Sequence, residues 1–402
     1  MTPEIKQRIE QIRRGEVPEG YKKGKLGIVP EEWNEASFST LFTSTSEYAD
    51  DLDKYPLYSL TIEDGVTPKT ERYERSHLVK KEDSYKIVRP NDYAYNPMNL
   101  RFGSVARHKG NLPVAVSGYY DIFTTVHKSD LPFMDSFLTC DPMITYYNRV
   151  STGSLVEKQR VHFSQFLEFV LPLPPINERA KIAAILTTQD RVIELKEKRL
   201  AEKQRQKKYL MQQLLTGKKR LPGFAFEVEK TNIKAISTYS VSTISQTMLE
   251  SYEGKQLYPV FNANSIAGHV DFYENECPYI SIIKDGAGIG RVRLCEAKSS
   301  TIGTMGCIHA RKGISIIFLY YLLEQVDFNK YSNGSTIPHL YYKDYSCEKV
   351  RIPDIKEQAA IAEVLSTADR EIELLQQDIE QEKQKKKALM QLLLMGIVRV
   401  KI

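Results

Sequence analysis

The sequence lacks several features that would assign a protein class at once. No apolar run approaches the roughly 18 to 20 residues that a membrane helix needs, and the N-terminal segment has no apolar signal core. The five cysteines are scattered and form no C-x-x-C pair, which argues against a disulfide framework and against a zinc site. We therefore expect a cytoplasmic protein with buried, reduced thiols and no metal site.

Signatures of nucleotide chemistry are missing as well. No G-x-x-x-x-G-K-[S/T] phosphate loop is present, and the glycine-rich run at 285–290 does not fit G-x-G-x-x-G. The segment Asn96-Pro97-Met98-Asn99 falls short of the Asn-Pro-Pro-Tyr/Phe box of amino-methyltransferases, because it lacks the aromatic residue that stacks on a flipped base. The sequence therefore predicts a chain that is not an enzyme by itself and has no catalytic residues.

What the sequence does contain is a long internal repeat. Residues 174–221 recur without a gap at 353–400, and 22 of the 48 positions are identical. Neither copy has Gly or Pro between its opening proline and its closing glycine, so each is predicted to form one long helix. These helices should begin after Pro175 and Pro353 and stop at Gly217 and Gly396. At about 1.5 Å per residue, roughly 38 helical residues would span about 57 Å.

Apolar residues recur every seven positions in both copies, which is typical of helices that pair as a coiled coil. The repeated positions are Leu186, Ile193, Leu200, Lys207 and Leu214 in the first copy, and Leu365, Ile372, Ile379, Lys386 and Leu393 in the second. The lysine at the same step of both copies predicts a polar break in the seam. The helices alone also fit a coiled-coil scaffold protein that carries two globular binding heads.

The segments between the copies are rich in Tyr, Phe, Val, Ile, Ser and Gly, which favours mixed α/β modules. The turn at 151–154 resembles the turn at 332–335, but the two modules otherwise diverge. The predicted fold class is α/β (α+β). The predicted division is an N-terminal helical segment at 1–20, a first module at 21–172, a first long helix at 173–221, a second module at 222–351 and a second long helix at 352–402.

These features together resemble the specificity (S) subunits of type I restriction-modification systems over essentially the whole chain. The opening LGIVPEEW at 26–33 is similar to the lead-in to a first recognition domain, and IPDIKEQAAIA at 352–362 matches the family's signal at a helix start. The segment 332–340 is similar to the family's approach to the second helix. The first copy departs from the signal at Arg179, where glutamine is usual.

The resemblance implies two target-recognition domains, at 21–172 and 222–351, separated by two long antiparallel coiled-coil helices with pseudo-twofold symmetry. Each domain would read one half of a bipartite, asymmetric site in double-stranded DNA, and the helices would set the spacer between the halves. Methyl transfer and ATP-driven cleavage would belong to separate modification and restriction subunits, the former docked on the helices. S-adenosylmethionine, ATP and Mg would then be bound by those partners, and no cofactor by this chain.

Base readout needs Arg, Lys, Asn, Gln or Ser at loop tips, and phosphate contacts need basic side chains and hydroxyls. The DNA-binding candidates in the first module are Lys69, Arg72, Tyr73, Arg75, Asn96, Asn99, Arg101, Arg107 and Ser154. The candidates in the second module are Asn262, Asn264, Ser265, Lys284, Arg291, Ser335, Thr336 and Tyr341.

The first long helix carries the excess positive charge of the chain. Residues 177–221 contain thirteen Lys or Arg against five Asp or Glu, whereas the net charge of the whole sequence is +5. Lys203, Lys207 and Lys208 are candidates for facing the DNA spacer or an acidic surface of the modification subunit; a solvated face is the alternative. If they face DNA, charge reversal at Lys203 and Lys207 should weaken cognate and non-cognate binding equally and reduce the salt dependence.

Overall fold

The computed structural model describes residues 2–45, 47–69, 85–155, 158–224, 229–334 and 337–401. The chain divides into two compact units: unit 1 comprises Met1–Leu195 and Ile379–Ile402, and unit 2 comprises Lys196–Asp378. Both borders fall inside the long helices, so each unit contains one end of each helix. No helix in the described ranges has both the length and the apolarity needed to cross a membrane.

Unit 1 combines short helices with antiparallel strands. The helices are α1 (Pro3–Arg13), α2 (Phe38–Leu41), α3 (Leu131–Phe137), α4 (Asp141–Val150), α5 (Phe163–Leu167) and the first part of α6 (Ile176–Leu214). The strands are β1 (Tyr21–Gly24), β2 (Gly27–Pro30), β3 (Asn34–Ser37), β4 (Phe42–Ser44), β5 (Tyr58–Thr61), β6 (Gly65–Pro68), β7 (Tyr85–Val88), β8 (Tyr93–Tyr95), β9 (Val105–Arg107), β10 (Val114–Ser117), β11 (Asp121–Thr125) and β12 (Val170–Leu173).

The largest sheet of unit 1 has the antiparallel order β4-β11-β8-β9, and β1–β2, β3–β12, β5–β6 and β7–β10 form pairs. An aromatic core fills the space behind this sheet. Phe123 on β11 stacks on Tyr93 of β8 at 5.1 Å between ring centres, and Phe166 of α5 lies 5.4 Å from Phe123. Such pairs add directional stabilisation to the burial of large apolar surfaces.

Unit 2 repeats this arrangement with different residues. Its helices are the last part of α6, α7 (Ile233–Ile236), α8 (Gln246–Glu250), α9 (Ile316–Glu324), α10 (Tyr342–Tyr345) and the first part of α11 (Ile355–Leu394). Its strands are β13 (Glu229–Asn232), β14 (Ser237–Val241), β15 (Tyr258–Phe261), β16 (Ile266–Val270), β17 (Tyr279–Ile283), β18 (Val292–Cys295), β19 (Ser300–Thr301), β20 (Met305–Ala310), β21 (Ser332–Asn333), β22 (His339–Leu340) and β23 (Lys349–Ile352).

The sheet β14-β20-β17-β18 of unit 2 has the same antiparallel order as β4-β11-β8-β9 of unit 1. The pair β13–β23 corresponds to β3–β12, and the hairpin β15–β16 corresponds to β5–β6. Each unit therefore presents the same loops at the same end of a four-stranded sheet. The sequence alone reveals only weak echoes of this likeness, because the shared feature is strand order rather than residue identity.

The two long helices begin and end where the sequence predicts. α6 starts directly after Pro175 and α11 starts two residues after Pro353. Gly217 and Gly396 follow the helix ends with φ of +68° and +66°, a left-handed conformation in which glycine terminates helices without steric cost.

The helix ends pack antiparallel within each unit. In unit 1, Lys386 of α11 pairs with Asp190 of α6 at 2.5 Å. In unit 2, Lys207 of α6 pairs with Asp369 of α11 at 2.7 Å. These are equivalent positions of the repeat, so the lysine that interrupts the apolar seam is matched by an aspartate in both units. The predicted fold class, mixed α/β with two long antiparallel helices, is confirmed.

A second pair of equivalent ion pairs fastens the helix ends. The Glu178 side chain is fully buried, and Arg399 donates to its two oxygens from Nε at 2.7 Å and Nη2 at 2.9 Å. In unit 2, Arg220 pairs in the same way with the buried Glu357. All four residues belong to identical positions of the repeat, which explains why these positions are identical in both copies.

Candidate nucleic-acid interface

In unit 2, the loop from β17 to β18 is held in a tight conformation. Gly286, Gly288 and Gly290 all have positive φ, and a Cβ on Gly290 would collide with Phe328. The glycine-rich run at 285–290 is therefore a turn between strands. Lys284 and Arg291 flank it, so the loop brings two of the predicted DNA-binding residues to one end of the sheet.

Asp285 holds the side chains of Lys284 and His339 at this loop. Its carboxylate accepts from Lys284 Nζ at 2.6 Å and from His339 Nδ1 at 2.8 Å. Partial burial raises the pKa of Asp285, but these two hydrogen bonds outweigh burial and hold its pKa below the usual value. A carboxylate that stays ionised can keep Lys284 in place at neutral pH.

The turn between β15 and β16 lies against the same loop. The Asn262 side-chain oxygen accepts from the backbone N–H of Asn264 at 2.9 Å and of Ser265 at 2.8 Å. That oxygen is used inside the turn, and DNA binding by Asn262 stays a prediction. Asn264 and Ser265 are exposed, as predicted.

Two arginines connect this turn to β18. Arg291 Nη2 donates to the Ala263 carbonyl at 2.6 Å and to the Asn264 side-chain oxygen at 2.8 Å. Arg293 Nη2 donates to the Asn264 carbonyl at 2.7 Å. Arg291 was predicted from the sequence as a DNA-binding candidate, whereas Arg293 was not. The sequence did contain a signal for Arg293. It lies two residues after Arg291, and side chains two residues apart along a strand lie on the same face.

The approach to the second long helix completes the cluster. Gly286 N–H donates to the Pro338 carbonyl at 3.0 Å, and Leu340 N–H donates to the Lys284 carbonyl at 2.8 Å. Tyr341, next in the chain, is 49% exposed and stacks loosely on His339. The candidates Ser335 and Thr336 lie outside the described residues.

In unit 1, the corresponding loop from β8 to β9 carries Asn99 and Arg101. Asn99 is exposed, and Arg101 donates to Gln159 at 3.1 Å while its guanidinium lies 4.5 Å from the ring of Phe102. Asn96 is 8% exposed, and its side-chain oxygen accepts from Met98 N–H at 3.1 Å. The Asn96 side chain therefore shapes the loop from inside, and DNA binding by Asn96 stays a prediction.

Arg107, another DNA-binding candidate, has its side chain engaged within the module. Its guanidinium lies at the opposite end of β9 and chelates Asp135, with Nε at 2.9 Å from Oδ1 and Nη2 at 2.7 Å from Oδ2, and Nη1 donates to Asn91. The same carboxylate accepts from Tyr93. Arg107 is thus engaged in a structural ion pair, and sequence alone could not indicate this because Asp135 is distant in the chain.

The remaining candidates of unit 1 are exposed or lie outside the described residues. Lys69 is exposed just after β6, and Ser154 is exposed on the segment that precedes Val161. Val161 N–H donates to the Pro97 carbonyl at 3.1 Å, in the same way as Leu340 contacts Lys284. Arg72, Tyr73 and Arg75 fall within 70–84, which is not described.

The three helix lysines do not behave alike. Lys203 pairs with Glu371 at 2.6 Å, and Lys207 pairs with Asp369 at 2.7 Å and with Glu324 at 3.3 Å. These three ion pairs use the charges of Lys203 and Lys207 within the helix pair and in its contact with α9, and a role of either lysine toward DNA or a partner stays a prediction. Lys208 is exposed and remains a candidate.

No group of three or more His, Cys, Asp or Glu within the described ranges is arranged to hold a metal. All five cysteines are free thiols. Burial raises the pKa of Cys140 to about 12 and that of Cys307 to about 11. Cys277 and Cys347 are exposed, which corrects the expectation that all the thiols are buried.

Comparison with known proteins agrees with this architecture. Residues 226–384 match the type I restriction modification DNA specificity domain. A putative type I restriction enzyme MjaX specificity subunit of Methanocaldococcus jannaschii is 23% identical, and the alignment covers 95% of this chain and 97% of that protein. The EcoprrI specificity subunit of Escherichia coli is 26% identical, over 63% of this chain and 69% of that protein.

Solved structures share the fold. The S subunit of a type I system from M. genitalium superimposes with a TM-score of 0.58 at 16% identity, covering 93% of this chain and 99% of that one. A chain from a study of complex assembly and conformational transition of the type I system gives 0.57 at 14% identity, covering 92% and 99%.

Residues 226–384 therefore match a DNA specificity domain, and the chain shares the fold of a solved S subunit. Over 95% of its length the chain is similar to a type I specificity subunit, in agreement with the resemblance of its sequence. Specificity subunits are non-catalytic components of their complexes. These similarities favour a specificity subunit over the alternative of a coiled-coil scaffold.

Proposed function

We propose that this chain reads a bipartite, asymmetric site in double-stranded DNA, with one head for each half-site. The observation that carries the proposal is that each unit presents the same group of loops at the same end of the same four-stranded sheet. In unit 2 these loops carry Asn264, Ser265, Lys284 and Arg291, which are residue types that bind base edges and phosphates.

The two groups of loops differ in chemistry. The hairpin turn of unit 1 contains Glu63 and Asp64, whereas the corresponding turn of unit 2 contains Asn264 and Ser265. The β8–β9 loop of unit 1 exposes Phe102, while the β17–β18 loop of unit 2 is built on glycines. Heads with the same frame but different tips are suited to two unlike half-sites.

We further propose that α6 and α11 set the length of the DNA spacer. The helices contain 39 and 40 residues without interruption. At about 1.5 Å per residue each corresponds to roughly 60 Å, long enough to separate half-sites that lie one or more turns apart on the duplex. The ion pairs of Lys207 and Lys386 across the seam would stiffen such a ruler.

The modification subunits are proposed to dock on the helices. Leu195 of α6 is 50% exposed and Leu374 of α11 is 64% exposed, and the two leucines occupy identical positions of the repeat. An apolar residue kept exposed in both copies is expected where a partner present in two copies contacts each helix. The restriction subunits would join through the complex.

This docking proposal is tested by the stoichiometry of the complex in native mass spectrometry. Leu195→Arg and Leu374→Arg are each expected to remove one modification subunit, and the double variant both. Leu112→Arg is the matched control, because Leu112 is 72% exposed and belongs to the loop between β9 and β10. Retention of two modification subunits by both single variants would show that these leucines are not the docking sites.

We propose that S-adenosylmethionine, ATP and Mg are bound by the partner subunits, and that the complex works in the cytoplasm on chromosomal and incoming DNA. The test of the whole proposal is selection of bound duplexes from a randomised library by the chain assembled with its modification subunits. Two unlike sequence blocks at one constant separation are expected. A single block, or blocks at variable separation, would contradict the two-head assignment.

A further inference from the structure

The β15–β16 turn and the start of β18 enclose a cavity of about 180 Å³ in unit 2. We call this cavity the turn pocket. The residues that line it include Asn262, Asn264, Ser281, Arg291, Arg293 and Met305. Its floor is the end of β17 and the beginning of β20, and its polar wall is formed by the turn and the two arginines. No acidic residue lines it.

The positive charge of the turn pocket is not neutralised within the described part of the chain. Arg291 and Arg293 donate to the Ala263 and Asn264 oxygens, all of which are neutral, and neither arginine forms a described salt bridge. Other arginines of the molecule, such as Arg107, lie against carboxylates. Two guanidinium groups beside one recess therefore favour an anionic occupant.

The donors are also held in place before any ligand binds. Only Nη2 of each arginine is used by the turn, so the Nε and Nη1 donors of both have no partner among the described residues. Arg293 is further fixed over the ring of Phe261, with 5.8 Å between its guanidinium and the ring centre. Ser281 is fully buried beneath the recess, where its hydroxyl accepts from Cys295.

The shape of the site indicates which chemical group of DNA it binds, a base edge or a backbone phosphate. Base edges lie on the floor of a groove and are reached by side chains that protrude, whereas backbone phosphates project from the duplex and can enter a recess. The arginines of the turn pocket line a concavity and are tied back to the turn. A phosphate group matches both this shape and the uncompensated positive charge.

We infer that the turn pocket binds a backbone phosphate of the DNA and positions unit 2 on the duplex without reading its sequence. This inference rests on the proposed function and gives Arg293 a role beside Arg291. It also separates the tasks of the interface: Lys284, Ser265 and Tyr341 remain available for base contacts, while the arginines of the turn set the orientation of the head.

The test is the salt dependence of DNA binding by the chain assembled with its modification subunits. Anisotropy is measured from 50 to 200 mM salt with a cognate and a non-cognate duplex. Arg291→Gln and Arg293→Gln are each expected to weaken binding to both duplexes equally, by about tenfold at low salt, and to reduce the salt slope by about one. Arg293→Lys keeps the charge and should keep the slope.

Lys312→Gln is the matched control. Lys312 is exposed, and it follows β20 at the end opposite to Met305, so its loss removes one positive charge away from the turn pocket. It should leave affinity and slope nearly unchanged. A loss confined to cognate DNA, with an unchanged slope, would assign the arginines to base readout and overturn the inference. Equal affinities for all variants would also overturn it.

Two further outcomes separate failure of the proposed function from failure of the phosphate contact, and a DNA phosphate site from a site for free phosphate. If the unaltered complex shows no preference for a bipartite site, the proposed function fails, but the slopes on non-cognate DNA still decide the phosphate contact. Inorganic phosphate titrated calorimetrically in the absence of DNA should bind no more tightly than millimolar, because a single isolated phosphate lacks the contacts of the duplex. Micromolar binding lost in Arg293→Gln would instead identify a site for free phosphate.

Discussion

The buried ion pair joins Glu178 to Arg399, and loss of the arginine is expected to destabilise the protein more than loss of the carboxylate charge. The Glu178 side chain is 0% exposed, whereas that of Arg399 is 31% exposed. Arg399→Met therefore leaves a carboxylate buried with only Trp33 Nε1, at 3.3 Å, as a donor, and we expect it to cost about 3–5 kcal/mol. Glu178→Gln leaves a guanidinium that water can reach and that still contacts Glu32, so its cost should be about 1–2 kcal/mol.

Urea unfolding of the full chain, followed by tryptophan fluorescence, measures this difference. Trp33 is the single tryptophan of the sequence and contacts Glu178, so the signal reports on unit 1. The double variant should be more stable than Arg399→Met alone, because no charge then remains buried. If Arg399→Met cost less than Glu178→Gln, the argument from burial would be refuted.

Unit 2 offers a matched control for this experiment. Glu357→Gln removes the same interaction at the equivalent position of the repeat, where the carboxylate is 1% exposed. It should shift the Trp33 transition by less than half of the shift caused by Glu178→Gln, since the lost contact lies in the other unit. An equal shift would show that the two units unfold as one and would limit the assay to global stability.

Three other predictions follow from the same structure. Seven residues inserted into each long helix beside the Lys196–Asp378 ion pair preserve the heptad, and on the ruler proposal they should lengthen the selected spacer by about three base pairs; an unchanged spacer would contradict the ruler. Lys207→Glu places a carboxylate beside two acidic side chains and should lower the free energy of unfolding by about 2–4 kcal/mol in urea titrations, whereas a stable variant with weakened DNA binding would support the original DNA-facing interpretation. Iodoacetamide at pH 8 should modify only Cys277 and Cys347 in the native protein, as counted by mass spectrometry; rapid modification of a third thiol would contradict the burial of the others.

The long helices could be predicted from the sequence because their signals are local. Pro175 and Gly217 mark the ends of the first copy, and a seven-residue spacing predicts a paired seam. The partners of the seam lysines could not be predicted, because Asp190 and Asp369 become neighbours only once the antiparallel register is set. The repeat still contained the information, since both members of each pair are identical in the two copies.

The candidate interface could be predicted only in part, because residue type does not report burial. Arg107 and Asn96 have the chemistry of DNA contacts, but one is bound to Asp135 and the other is inside its loop. Arg293 was missed because a strand residue was not expected to reach a turn near 264. Strand order brings these segments together, and strand order is a property of the whole module.

The central claim is that this chain determines which DNA sequence its complex methylates. Mapping methylated adenines in the host genome, with and without this gene, tests it most directly. The account predicts that one asymmetric, bipartite methylated motif disappears when the gene is removed and returns when it is restored. An unchanged methylation pattern in a strain that expresses all the subunits would contradict it.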